Sequence, residues 1–171
     1  MTEYDKIKLI VLDTDGTLTD GGLYYDAQGN EIKKFDVKDG LALKVAIKSG
    51  LSVAILTGRK SKMVQRRAEE LQIEHFIMGV QQKFPVLLEL AKKLELSLDE
   101  VYYIGDDWND LQCMKKCGLC ACPSDAAEEV RSQCDYIASH VGGQGAVRDC
   151  IEWLMKERGD WEKTAKMLYF I

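Results

Sequence analysis

The stretch Leu9-Ile10-Val11-Leu12-Asp13-Thr14-Asp15-Gly16-Thr17 passes without a break from four apolar residues to a pair of carboxylates. A short all-apolar run reads as a strand buried on both faces, the kind found in parallel sheets. Gly16 lets the chain turn sharply at the carboxyl end of that strand. Two carboxylates held so close raise each other's proton affinity unless a divalent cation lies between them. Ligands that are all oxygen suit Mg²⁺, which takes substrate phosphate as a further ligand.

Outward from this junction, strand and helix patterns alternate, which predicts an α/β architecture with a mostly parallel central sheet. Leu18 to Val37 interrupts the alternation. There Leu23-Tyr24-Tyr25 and Ile32-Lys33-Lys34-Phe35 flank the turn signal Asp26-Ala27-Gln28-Gly29-Asn30, so a β-hairpin is expected just beyond the aspartates. It can act as a flap or as an oligomer contact. A helix over 41–49 closes at Gly50, followed by a strand over 51–56 that ends at Thr57-Gly58-Arg59. Val64, Ala68 and Leu71 mark the next helix, and 75–78 a short strand. Phe84, Leu87, Leu88, Ala91 and Leu94 recur at helical spacing, with Pro85 tolerated in the first turn. A strand over 101–104 runs into Gly105-Asp106-Asp107. Leu111 and Met114 start a short helix that Gly118 ends. After a cysteine-bearing strand at 118–122, helices are expected over 125–133 and 145–158, with a strand at 136–138 between them. The segment 159–171 ends on Met167-Leu168-Tyr169-Phe170-Ile171 and carries Trp161, an apolar terminus that docks on its own chain or on a neighbour. One domain is expected over 1–171.

The bulk numbers narrow the function classes. At 171 residues the chain is long enough for one domain with a real core. Its net charge of -5 argues against general nucleic-acid binding. No apolar run approaches the length of a membrane span, and the mixed-charge start 1–8 is unlike a secretory signal, so a cytoplasmic protein is expected. Six cysteines without paired knuckles or nearby histidines read as buried free thiols rather than a zinc site or disulfides.

Asp13, Thr57 and Asp106 each follow an apolar strand, and Lys83 opens a helix. In a parallel sheet such points share one edge, outside the carboxyl ends of the strands, where ligands bind. A carboxylate nucleophile, a metal, a hydroxyl donor and an ammonium together describe phosphoryl transfer. Asp13 is the candidate nucleophile. Asp15, two residues on, is placed to protonate the leaving oxygen and then activate water. Thr57 and Lys83 hold phosphoryl oxygens, with backbone amides at Gly58 or Gly40 as further donors. Asp13, Asp15 and Asp106 are the expected Mg²⁺ ligands, with Asp107 or Asp110 ligating or orienting. Taken singly, each has an ordinary reading as an N-cap, a turn or a solvated charge; their convergence selects the functional one.

These four signals, in this order, resemble the motifs of the haloacid dehalogenase-type phosphatase superfamily. Leu18-Thr-Asp-Gly-Gly22, Lys38-Asp-Gly40, Thr57-Gly-Arg-Lys-Ser61, Arg67 with Leu71, Gly79 and Gly142-Gly-Gln-Gly-Ala-Val-Arg148 extend the likeness to its capless 3-deoxy-D-manno-octulosonate 8-phosphate phosphatases. The resemblance implies a Rossmann-like α/β/α domain without a cap and a Mg²⁺-dependent phosphomonoesterase for a small phosphorylated sugar acid. It also implies a homotetramer, built in part by the hairpins, in which a neighbour's carboxyl terminus can reach the site. It adds Gly40, Arg59 and Arg67 as substrate-binding positions. Thr14 and Thr17 depart from the valines more usual there. Relatives acting on a nine-carbon ketodeoxynonulosonate 9-phosphate tend to carry an acidic residue after the Thr-Gly pair; Arg59 stands in that place and suits a sugar-acid carboxylate. A receiver-type domain lacks the Asp-x-Asp pair, and a pump's phosphorylation domain carries lysine where Asp15 stands. A non-catalytic oligomeric module is the remaining rival, and all four motifs are intact.

Overall fold

In the computed structural model, which describes residues 2–169, Leu9–Leu12 is a strand (β1) buried along its whole length. A two-stranded hairpin follows, Tyr24–Tyr25 (β2) and Glu31–Ile32 (β3), then Val37–Lys48 (α1), Ser52–Thr57 (β4), Lys62–Glu70 (α2) and His75–Met78 (β5). The second half runs Lys83–Lys93 (α3), Val101–Ile104 (β6), Leu111–Met114 (α4) and Leu119–Cys122 (β7). Glu128–Arg131 (α5), Tyr136–Ile137 (β8), Ala146–Glu157 (α6) and Trp161–Tyr169 (α7) complete it.

Six strands form one parallel sheet in the order β5-β4-β1-β6-β7-β8. Leu12 lies opposite Ile55 on one side and Ile104 on the other. The residues that follow, Asp13, Thr57 and Asp106, therefore leave the sheet side by side at one edge. Alternation along the strands divides the core into two layers. Ile10, Leu12, Val53, Ile55, Tyr102 and Ile104 face α1, α2 and α6 through Leu43, Ala46, Val64, Ala68 and Ile151. Leu9, Val11, Ala54, Leu56, Val101 and Tyr103 face α3, α4 and α5 through Leu87, Leu90, Met114 and Val130. Each such Leu, Ile or Val contributes about 1.5–3 kcal/mol by burial, so both helical layers are fastened by apolar contact.

Three local expectations change. The first helix starts at Val37 rather than residue 41, because the Asp36 carboxylate accepts from the Lys38 amide and caps it. The helix expected over 125–133 shrinks to Glu128–Arg131. Asp125 is used elsewhere, its Oδ1 accepting from the Gly142 amide at 2.9 Å, and Ala127 N–H donates to the Asp106 carbonyl at 2.9 Å. The tail forms α7, and its Trp161 docks on the same chain, buried beneath the Arg148 guanidinium at 4.6 Å. Phe170 and Ile171, read as part of the apolar end, lie outside the described residues. All six cysteines are free thiols.

Candidate active site

Two close approaches, one to a side chain and one to backbone, shape the loop after β1. Gly16 has φ +90°, and a Cβ there would stand 2.0 Å from Asp106 Oδ2. A Cβ on Gly142 would stand 1.9 Å from the Gly16 carbonyl oxygen. The glycine-rich segment before α6 thus backs directly onto the aspartate loop, which is the packing reason for Gly142-Gly143. Thr17 Oγ1 donates to Asp106 Oδ1 at 2.9 Å and ties the loop to the end of β6.

Behind Asp13 lies a line of buried charge. Lys83, the first residue of α3, is 3% exposed, and its Nζ stands 2.7 Å from Asp13 Oδ1 and 2.7 Å from Asp110 Oδ1. Tyr103 O–H donates to the same Asp110 oxygen at 2.7 Å, and the Asp106 amide donates to Asp110 Oδ2 at 3.2 Å. Asp110 therefore uses both oxygens to orient Lys83 and the Asp106 loop.

One carboxylate oxygen from each of Asp13, Asp106 and Asp110 lies within 4.8 Å of the others. Burial above all, then the Asp110 charge, raises the Asp13 pKa, while Lys83 pulls it down. Asp106 is pushed up to about 8 by burial, then by Asp13 and Asp110. Three carboxylates against one ammonium leave an excess of negative charge, and an all-oxygen donor set of this kind fits a hard divalent cation.

The cleft above them, about 430 Å³, is lined by Asp13, Asp15, Thr57, Gly58, Arg59, Asp106, Asp107, Trp108 and Asn109. The convergence expected from the sheet edge is present. Asp15 differs from expectation in one respect: its carboxylate is paired with Lys33, and Arg59 Nε stands 3.8 Å from its other oxygen. Asp110, not Asp15, completes the group of three side chains. Asp107 is exposed on the rim, accepting from the Trp108 amide at 2.8 Å.

Gly40 and Arg67 lie apart from the lining. A Cβ on Gly40 would stand 2.3 Å from Arg67 Nη2, and Arg67 donates to the Asp36 carbonyl at 3.3 Å with its guanidinium 5.9 Å from the Phe35 ring. Within one chain they pack α2 against α1 instead of contacting the cleft. Sequence reasoning passed over Lys33, Tyr103 and Trp108. The first had a signal, since Glu31 and Lys33 fall on one face of a hairpin strand.

A family model described as haloacid dehalogenase-like hydrolase matches residues 10–81 and 79–149. The 3-deoxy-D-manno-octulosonate 8-phosphate phosphatase KdsC of Salmonella typhi is 38% identical over 164 residues, 96% of this chain and 87% of that protein. A crystal structure of the phosphatase of the same name from Moraxella catarrhalis, in complex with magnesium ion, phosphate ion and a KDO molecule, is 40% identical. It superposes with a TM-score of 0.93, covering 97% of this chain and 95% of that one. The cobalt-bound Haemophilus influenzae phosphatase is 36% identical, covers 92% of each chain and gives a TM-score of 0.88. This chain belongs to the haloacid dehalogenase-like hydrolases, in the branch of the 3-deoxy-D-manno-octulosonate 8-phosphate phosphatases.

Proposed function

We propose that this chain is a Mg²⁺-dependent phosphatase that hydrolyses 3-deoxy-D-manno-octulosonate 8-phosphate to the free sugar acid and phosphate through an aspartyl phosphate. The observation that carries the chemistry is the buried Asp13, held by Lys83 at one oxygen and open to the cleft beside Asp106. Because Lys83 engages Oδ1, the Oδ2 oxygen is the one left to attack phosphorus. Asp15 gives a proton to the departing sugar oxygen, then takes one from the water that hydrolyses the aspartyl phosphate. Thr57 and the Gly58 amide donate to the phosphoryl oxygens, and Lys83 offsets their charge. Arg59, which lines the cleft, would meet the substrate carboxylate, and its charge supports the eight-carbon acid over the nine-carbon alternative.

Asp13 and Asp106 would hold Mg²⁺, Asp110 fixing their geometry. Asp15, on the same loop, would complete the set. When bound, the cation supplies charge neutralisation for the approaching phosphate and polarises its oxygens.

Assembly as a homotetramer is part of the same reading. Leu23, Tyr24, Ile32 and Val37 on and beside the hairpin are all more than 40% exposed, an apolar surface suited to a second copy. Six free thiols are in keeping with a reducing, cytoplasmic setting. Phosphate release from the eight-carbon ester should require Mg²⁺ and disappear in Asp13→Asn, whose amide cannot form the acyl phosphate. Undiminished turnover by that variant would remove Asp13 from the mechanism.

A further inference from the structure

The hairpin does more than present apolar side chains. Tyr24 pairs with Ile32 and Tyr25 with Glu31 across its two strands, so Tyr25, Glu31 and Lys33 share the face turned to the cleft while Tyr24 and Ile32 face outward. The Lys33 side chain is 2% exposed although it lies just beyond a short surface strand. Its ammonium contacts the Asp15 carboxylate and stands 3.4 Å from Glu31 Oε1. Ser61, at the start of α2, donates to Glu31, and Arg59 Nη2 donates to the Tyr25 hydroxyl at 3.3 Å.

We propose that Lys33 is a positioning residue for the phosphatase reaction: from the hairpin it holds the Asp15 carboxylate at the orientation needed to exchange a proton with the leaving oxygen. This rests on Asp15 being the proton donor, as read above. A carboxylate on a loop has two free side-chain torsions, and proton transfer demands hydrogen-bond reach of one particular oxygen. A buried ammonium supplies a strong directional anchor for the oxygen it contacts and leaves the other oxygen toward the cleft. In a domain without a cap, a strap from the same chain then does what a closing lid would do.

The plain alternative is an ion pair that only fastens the hairpin. The hairpin has other fastenings. Thr19 bridges to Phe35, the Tyr24 hydroxyl donates to Asp20 at 2.9 Å, Asp26 caps the turn through the Gln28 and Asn30 amides, and Ser61 holds Glu31. Loss of the Lys33 ammonium should therefore spare the fold and disturb Asp15.

The test compares esters by leaving group. Lys33→Met and Lys33→Gln, checked by circular dichroism, are assayed on the eight-carbon sugar phosphate, whose alkoxide needs a proton, and on 2,4-dinitrophenyl phosphate, whose leaving group does not. A positioned proton donor is worth roughly 10²–10⁴-fold. Misplacing it should lower kcat on the sugar ester by about 10- to 100-fold, with less than about threefold loss on the aryl ester. Lys33→Arg should restore part of the loss, and Lys33→Met should cost nothing further in an Asp15→Asn background. Equal losses on the two esters, or additive losses with Asp15→Asn, would reduce Lys33 to a fastening. If Asp15→Asn itself shows no leaving-group dependence, the donor assignment falls and the proposal with it, a result distinct from failure of Lys33 alone.

Discussion

Replacing Asp39 by asparagine should stabilise the protein at neutral pH and leave it nearly unchanged at pH 4. Asp39 lies in the first turn of α1 and is 1% exposed. Its Oδ1 accepts from the Arg148 amide at 2.8 Å, linking α1 to α6, while Oδ2 has no hydrogen-bond partner among the described residues. Burial pushes its pKa up from 3.8 to about 6, against the pull of the Arg148 and Gly145 amides. A carboxyl whose folded pKa lies above its unfolded one favours the native state while protonated; that advantage, complete below pH 3.8, is lost as pH rises through about 6. The shift of about two units, at about 1.4 kcal/mol each, bounds the loss at about 3 kcal/mol. Asparagine imitates the protonated acid: its carbonyl keeps the Arg148 bond and its NH₂ occupies the unpartnered side. Urea unfolding of both chains from pH 4 to pH 8 gives the difference directly. The variant's advantage should open between pH 4 and 7 and then level off. A difference that does not change with pH would refute the argument that Asp39 is ionised and under-solvated in the native state.

Two further outcomes are expected. Mg²⁺ at a hundredfold excess over its dissociation constant should stabilise the native state by about 2.7 kcal/mol, a rise in Tm of roughly 5–10 °C for a chain of this size; differential scanning fluorimetry should show that rise vanish in Asp106→Asn. Light scattering should return four chains of 19.3 kDa, and Ile32→Glu, placing charge on the outward hairpin face, should yield smaller species; a single-chain mass for the unaltered protein would exclude the tetramer.

The sheet edge was legible because it depends on backbone alone. An apolar run followed by Asp13, another by Thr57 and a third by Gly105-Asp106 must converge once the strands are parallel and in matched register. Side-chain direction is a different matter. Asp15 is two residues from Asp13, yet its carboxylate turns to Lys33, whereas Asp110, on the far side of the β6 loop, points back at Lys83. Spacing along the chain gives neighbourhood and leaves the choice of partner to whichever charge the fold delivers. Arg67 and Gly40 show the same limit: their motif carries the family likeness, but the guanidinium lies over the glycine and against Phe35, outside the cleft. The last helix escaped reading because its one buried apolar anchor at the start, Trp161, meets Arg148 from α6, a contact that no local pattern in 159–171 encodes.

Burial of the nucleophile and its need to be ionised pull in opposite directions, and the site resolves them by layering charge. Asp13 is 5% exposed, and that burial is the largest influence raising its proton affinity. Lys83 alone offsets only part of this, since it is shared with Asp110 and leaves two of three carboxylate charges uncompensated. At 4 Å and an effective dielectric of about 20, each unscreened like-charge pair costs about 4 kcal/mol, comparable with the stability of a domain. A second lysine would still leave one carboxylate uncompensated and would crowd the oxygen that must attack. A divalent cation held by Asp13 and Asp106 would offset both remaining charges at once. The buried lysine and a bound cation would therefore not be redundant: Lys83 holds Oδ1 of Asp13, and the cation would supply the charge neutralisation that one ammonium cannot.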